Sequence, residues 1–185
     1  MISLRYSITK EDYAAFYTYA MWDAPENKKK RRNYYTRQII PILIFIGAFY
    51  YTGIFQRNST FILIILGFIF LTSFLSLFNV RSNMTRQAEK IAANPNNSSI
   101  FVEQSLDISE TGVIVKDAVK EAKFQWAAFT KKQESAGYYF LFTSAIQALI
   151  IPKRAFNNNE EKNHFEKILA QHLSFDAELG HLVKS

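Results

Sequence analysis

Three hydrophobic rhythms divide the chain. Residues 38–80 are apolar almost without interruption, residues 2–22 pass from period two to helical spacing, and residues 100–151 return to period two in short runs. The apolar region holds two uncharged segments, 38–56 and 58–80, separated by Arg57 and bounded by Arg37 and Arg81. Each has about 20 residues, and at a rise of 1.5 Å such a helix spans roughly 30 Å, the hydrocarbon thickness of a bilayer. Lipid offers no hydrogen-bond partners, so a segment of this kind satisfies its backbone internally. The pattern predicts a transmembrane helical hairpin turning at residues 57–60, with Pro41 in the first turn of its first helix.

Ahead of the hairpin, Ile2, Leu4, Tyr6 and Ile8 alternate with Ser3, Arg5 and Ser7, which predicts a half-buried strand. Thr9 and Asp12 have capping-box spacing, and Tyr13, Phe16, Tyr17 and Ala20 then fall on one face of a short helix over about 10–22. After the hairpin, helix is expected to continue to about residue 93, where the Asn-rich stretch 94–99 breaks it. Ile100, Val102, Leu106 and Ile108 share one strand face. Turns at 109–112, 117–120, 133–137 and 144–145 separate further strands at 113–116, 122–128, 138–143 and 146–151. Pro152 stops the last strand. Asn157, Asn158 and Asn159 can cap a final helix with Phe165, Ile168, Leu169 and His172 on one face.

The expected fold class is therefore an α+β membrane protein. A two-helix transmembrane hairpin would be followed by a cytoplasmic PH-like antiparallel β-barrel or sandwich, capped by a C-terminal helix. The expected organisation is an amino-terminal strand and amphipathic helix (1–27) joining that domain, the hairpin with basic flanks (28–93), the PH-like domain (100–173) and a tail (174–185). The amino-terminal strand can join the sheet, with the hairpin as a long insertion behind it.

Charge refines this picture. Residues 1–95 hold 12 Lys/Arg against 5 Asp/Glu, and residues 96–185 hold 10 against 11, so the net +6 belongs to the hairpin flanks. That lowers a nucleic-acid reading, which needs a basic stripe on a folded face. Lys28, Lys29, Lys30, Arg31, Arg32 and Arg37 precede the hairpin, Arg81, Arg86 and Lys90 follow it, and only Arg57 lies between. The positive-inside rule then predicts a multi-pass membrane protein with both termini cytoplasmic, and the family resemblance set out below implies that this membrane is the bacterial cytoplasmic (inner) one. The basic run either anchors that topology or meets anionic lipid headgroups. Absence of cysteine excludes disulfides and thiolate chemistry.

Several stretches resemble the YcxB-like family of bacterial membrane proteins. They are residues 6–13 (Tyr-Ser-Ile-Thr-Lys-Glu-Asp-Tyr), the two apolar segments, 106–113, the Phe124-Gln125-Trp126 strand, and 148–156 (Ala-Leu-Ile-Ile-Pro-Lys-Arg-Ala-Phe). The resemblance covers about residues 2–173. It implies two helices plus a PH-like domain, and no enzyme activity, cofactor or catalytic residue.

Candidate chemistry is sparse. His164 and His172 stand about 12 Å apart along a helix, too far to share a metal unaided, and Glu160 and Glu161 suit a helix start better than paired acid–base work. No phosphate-binding glycine loop, GxSxG or HExxH occurs. Lys153 and Arg154 follow a strand end, where they could grip a phosphate or carboxylate or simply shape the turn. The expectation is a binding or regulatory module whose partners are the bilayer, its anionic headgroups or a protein. The alternative is a small accessory or immunity-type protein acting on a membrane partner. Catalytic, cofactor and metal residues are not expected.

Overall fold

The computed structural model describes residues 1–51 and 59–173. Strand β1 (Ile2–Ser7) buries Ile2, Leu4 and Tyr6 and exposes the residues between them. Helix α1 (Lys10–Thr18) starts on a complete capping box. Asp12 N–H donates to Thr9 Oγ1 at 3.2 Å, and Thr9 N–H donates to Asp12 Oδ2 at 2.8 Å. A π-helical turn (Tyr19–Asp23) and a 3-10 turn (Pro25–Asn27) lead into α2 (Lys28–Tyr51). Because α2 already begins at Lys28, Pro41 lies in its interior rather than its first turn. Helix α3 (Ser59–Ala92) follows, then a 3-10 turn (Pro95–Ile100) capped by Asn94.

Seven strands form two antiparallel sheets. β1, β2 (Glu103–Ser109), β3 (Gly112–Lys116) and β4 (Glu121–Gln125) make the first in that order. β5 (Lys131–Glu134), β6 (Tyr138–Ser144) and β7 (Gln147–Pro152) make the second. The amino-terminal strand does join the sheet: Ile2 faces Ile108, Leu4 faces Leu106 and Tyr6 faces Gln104. Gly112 closes the β2–β3 turn at φ 152°, where a Cβ would meet the Phe124 carbonyl oxygen at 2.2 Å. Helix α4 (Asn159–His172), capped by Asn158, buries Phe165, Ile168 and Leu169. Those three join Leu4, Leu106 and Ile108 from one sheet and Phe140, Phe142 and Ile151 from the other in a single core.

Three expectations need correction. Among the described residues, no helix is long and apolar enough to cross a membrane. Helix α2 begins at Lys28, ten residues ahead of the apolar run, and its first ten residues include six cations. Helix α3 is a continuous 34-residue element whose carboxyl-terminal part carries Arg81, Arg86, Glu89 and Lys90. That part lies along α1 and buries Val80, Ala88 and Ala92. The transmembrane hairpin is corrected on this finding, and the multi-pass inner-membrane placement with cytoplasmic termini rested on it and goes with it. Residues 52–58, which include the first half of the turn expected at 57–60, lie outside the described residues, and Ser59 and Thr60 already belong to α3. The β-barrel is corrected too: the described strands form two separate sheets and no closed barrel. Finally, β2 begins at Glu103, with Ile100 in a 3-10 turn and Val102 exposed, and Trp126–Ala128 form another 3-10 turn rather than extending β4.

Candidate functional site

The six cations before the apolar region divide by role. Arg31 donates to the carbonyls of Trp22 and Ala24, the latter at 2.9 Å, and Lys30 donates to the Met21 carbonyl at 3.0 Å. Asn27 Nδ2 donates to the Ala20 carbonyl at 2.9 Å. Together they satisfy backbone oxygens released where the π-helical turn ends, and so fix the angle at which α2 leaves the domain. Lys29, Asn33 and Arg37 are spaced four apart on α2 and form a row. Val80, Asn83, Met84 and Gln87 recur at i, i+3, i+4, i+7 and form the facing row on α3. Between the rows lies a groove of about 700 Å³, which Lys30, Tyr34, Glu26 and Trp22 also line.

Its floor is rigid. Trp22 is buried and makes edge contacts with Tyr34, centroids 5.3 Å apart, and with Tyr35 at 6.2 Å. Its one acid, Glu26, is 2.6 Å from Lys131 Nζ. Gln87 accepts from the Tyr17 hydroxyl at 3.2 Å through Oε1, which leaves its amide nitrogen as a donor. Among the described residues, Lys29 and Arg37 make no hydrogen bond or ion pair. The helix start sharpens the electrostatics. Lys28 to Arg32 crowd the amino-terminal end of α2, where the helix dipole is positive and the helix's first turn holds no acid. Such an arrangement favours an anion.

Lys153 and Arg154 take no part in this groove, and each is already matched. Lys153 Nζ lies 2.5 Å from Glu134 and 4.9 Å above the Tyr139 ring centroid. Arg154 grips Asp12 bidentately, Nη1 to Oδ1 at 2.7 Å and Nη2 to Oδ2 at 2.5 Å, and Nη2 also donates to the Ser7 carbonyl at 3.3 Å. Asp12 is only 1% exposed. Burial pushes its carboxyl upward, but hydrogen bonds from Arg154, the Thr9 backbone and Tyr138 outweigh burial and hold it below the usual carboxylate range. The anion expected at Arg154 is thus the chain's own Asp12, and the pair ties the start of α1 to the end of β7.

The basic run alone did not disclose Trp22, Asn33, Asn83 or Gln87. The signal for the α3 row was its helical spacing. It went unread because residues 80–87 read as the mere continuation of an apolar helix.

Fold and groove together define a class: an α+β domain with a helical insertion that carries a cationic, aromatic-floored groove. Residues 108–169, from the end of β2 into α4, match the family model of the YcxB-like protein, so this region of the chain is YcxB-like. The match is narrower than the resemblance read from residues 2–173, and it stops short of the groove. No curated protein matches the chain, and neither does any solved structure.

Proposed function

We propose that this chain is a binding module for a small phosphate-bearing anion, with the groove between α2 and α3 as its site. The observation that carries this is the convergence of Lys29, Lys30 and Arg37 on one groove in which Lys29 and Arg37 are unmatched. A phosphate presents several charged oxygens at once. Three cations with the Asn33, Asn83 and Gln87 amides suit it better than they suit a lone carboxylate. A volume of about 700 Å³ fits a headgroup or free phosphate rather than a polymer.

Those two sources share one chemistry, and two measurements separate them. The full chain is titrated calorimetrically with inorganic pyrophosphate. It is also sedimented with phosphatidylglycerol vesicles, using phosphatidylcholine vesicles as reference. Binding of pyrophosphate, or a preference for phosphatidylglycerol, is expected to weaken as salt rises and to fall about tenfold in the double variant Lys29→Gln with Arg37→Gln. Pyrophosphate binding alone assigns a free phosphate, and phosphatidylglycerol preference alone assigns a headgroup. Neither signal at low salt, or equal binding by the double variant, overturns the reading.

A further inference from the structure

Strand β5 is polar throughout, and two of its side chains reach the segment from which α2 departs. Lys131 and Gln133 alternate onto the same face of the strand. The Tyr19 hydroxyl donates to Gln133 Oε1 at 2.6 Å, and Lys131 Nζ lies 2.6 Å from Glu26 Oε1. The same ammonium stands 4.5 Å above the Phe142 ring centroid and 5.9 Å from that of Tyr19. Only 17% of the Lys131 side chain is exposed. Two rings and one carboxylate thus hold its charge in place.

Glu26 is the partner that matters to the groove between α2 and α3. It is the one acid among the lining residues, and more than half of its side chain is exposed. It stands three and four residues before Lys29 and Lys30, the spacing at which an acid closes on a base along a helix, with the acid first as favours the pair. It also stands at the positive end of α2. Both effects draw the carboxylate over the groove, where it neutralises Lys29 and repels an entering anion. Lys131 opposes them from outside, since it lines no part of the groove. A unit charge at about 4 Å is worth roughly fivefold in affinity even at the dielectric of water. The direction in which this one carboxylate points therefore decides whether the cations act on a ligand or on Glu26.

We propose that Lys131 is a positioning residue for the anion groove: it holds Glu26 against the sheet and so keeps Lys29 and Arg37 available to the ligand. The proposal rests on the groove being the anion site, and adds to it a residue that touches no ligand. It also ties affinity for the anion to the second sheet, because Lys131 is carried by β5 and seated on Phe142 of β6.

Full chains carrying Lys131→Met, Glu26→Gln, both, or neither are titrated calorimetrically with inorganic pyrophosphate and sedimented with phosphatidylglycerol vesicles. Methionine keeps an unbranched stem on the Phe142 ring and removes the charge. Lys131→Met is expected to weaken binding about fivefold, and adding Glu26→Gln to restore it to within about twofold of the unaltered chain. Lys131→Arg, which keeps the charge, is expected to bind like the unaltered chain. Equal binding by Lys131→Met overturns the proposal. So does a double variant as weak as Lys131→Met, because removing Glu26 does not rescue a purely structural role of Lys131. Should Lys131→Met lose its native circular dichroism, Glu26→Gln alone decides. Its affinity is expected to equal or exceed that of the unaltered chain, and a loss of about fivefold overturns the proposal. An unaltered chain that binds neither ligand removes the groove and this inference together. One that binds, and loses binding when Lys29→Gln and Arg37→Gln are combined, but is indifferent to Lys131→Met, removes this inference alone.

Discussion

The sheet core and the α2–α3 helices treat their side chains in opposite ways. In the core region, charges find partners within the chain: Asp12 with Arg154, Glu134 with Lys153, Asp107 with Lys116. Its aromatic rings close on each other, with Phe16 set against Phe140 and Phe142, and Tyr139 against Phe165 and Phe156. In the helices, Lys29 and Arg37 stand unmatched over a groove, and Leu43, Ile44, Phe68 and Phe70 are exposed. A region whose groups satisfy one another explains itself by stability. A region with unmatched groups is explained by something outside the chain, and recognition is therefore sought in the helices.

Substitutions can break this contrast, beginning with the largest effect. Phe142→Ala removes a fully buried ring packed against Phe16 of α1 and Phe140 of its own strand and is expected to cost about 3–5 kcal/mol, read as a fall in the urea midpoint. Arg154→Met leaves the buried Asp12 carboxylate without its cation and is expected to cost about 3 kcal/mol at neutral pH. Because the folded carboxyl of Asp12 lies below its unfolded value, this stabilisation is fully present above about pH 4. It is lost as pH falls through the folded value. Asp12→Asn should therefore narrow the gap between urea midpoints at pH 7 and pH 3. An unchanged gap would show that the bidentate pair contributes nothing to the acid response.

Smaller effects sharpen the comparison. His172 lies parallel to Trp126, centroids 5.1 Å apart, with Nε2 3.0 Å from Glu110, so it pins the end of α4 to the β2–β3 turn. His172→Ala is expected to cost about 1 kcal/mol in chemical denaturation. Lys28→Glu should act in the opposite sense. A negative charge at the start of α2 meets the dipole favourably and relieves repulsion, so a gain of about 0.3–1 kcal/mol in thermal or urea stability is expected. A loss there would mean that the cations serve the fold rather than an external anion.

Much of the sheet region was legible because its signals are local. Alternation in residues 2–8, the Thr9/Asp12 capping box, the turn glycine at 112 and the α4 face of Phe165, Ile168 and Leu169 each follow from spacing alone. β5 was not legible. Lys131-Lys132-Gln133-Glu134 carries no apolar alternation, and it is strand because β6, nearly all apolar, supplies the ladder beside it. The Asp12–Arg154 pair was hidden by a separation of 142 residues, so Arg154 read either as a grip for an external anion or as part of the strand-to-helix turn. Weight given to hydrophobic runs over helix boundaries set the hairpin expectation. It placed the start of the first helix at residue 38, ten residues beyond the actual start at Lys28.

The pairing of β1 with β2 carries a consequence for how the molecule is made. Ile2 waits for Ile108, so the first strand leaves the ribosome long before its neighbour exists. At synthesis rates of about 5–20 residues per second, that delay lasts roughly 5–20 seconds. Through it, one side of an unpaired strand presents Ile2, Leu4 and Tyr6 to any competitor, and closing so long an intervening loop adds an entropic penalty that local hairpins escape. Among the described strands, the first thus waits longest for its partner, and it stands open to competitors throughout that interval.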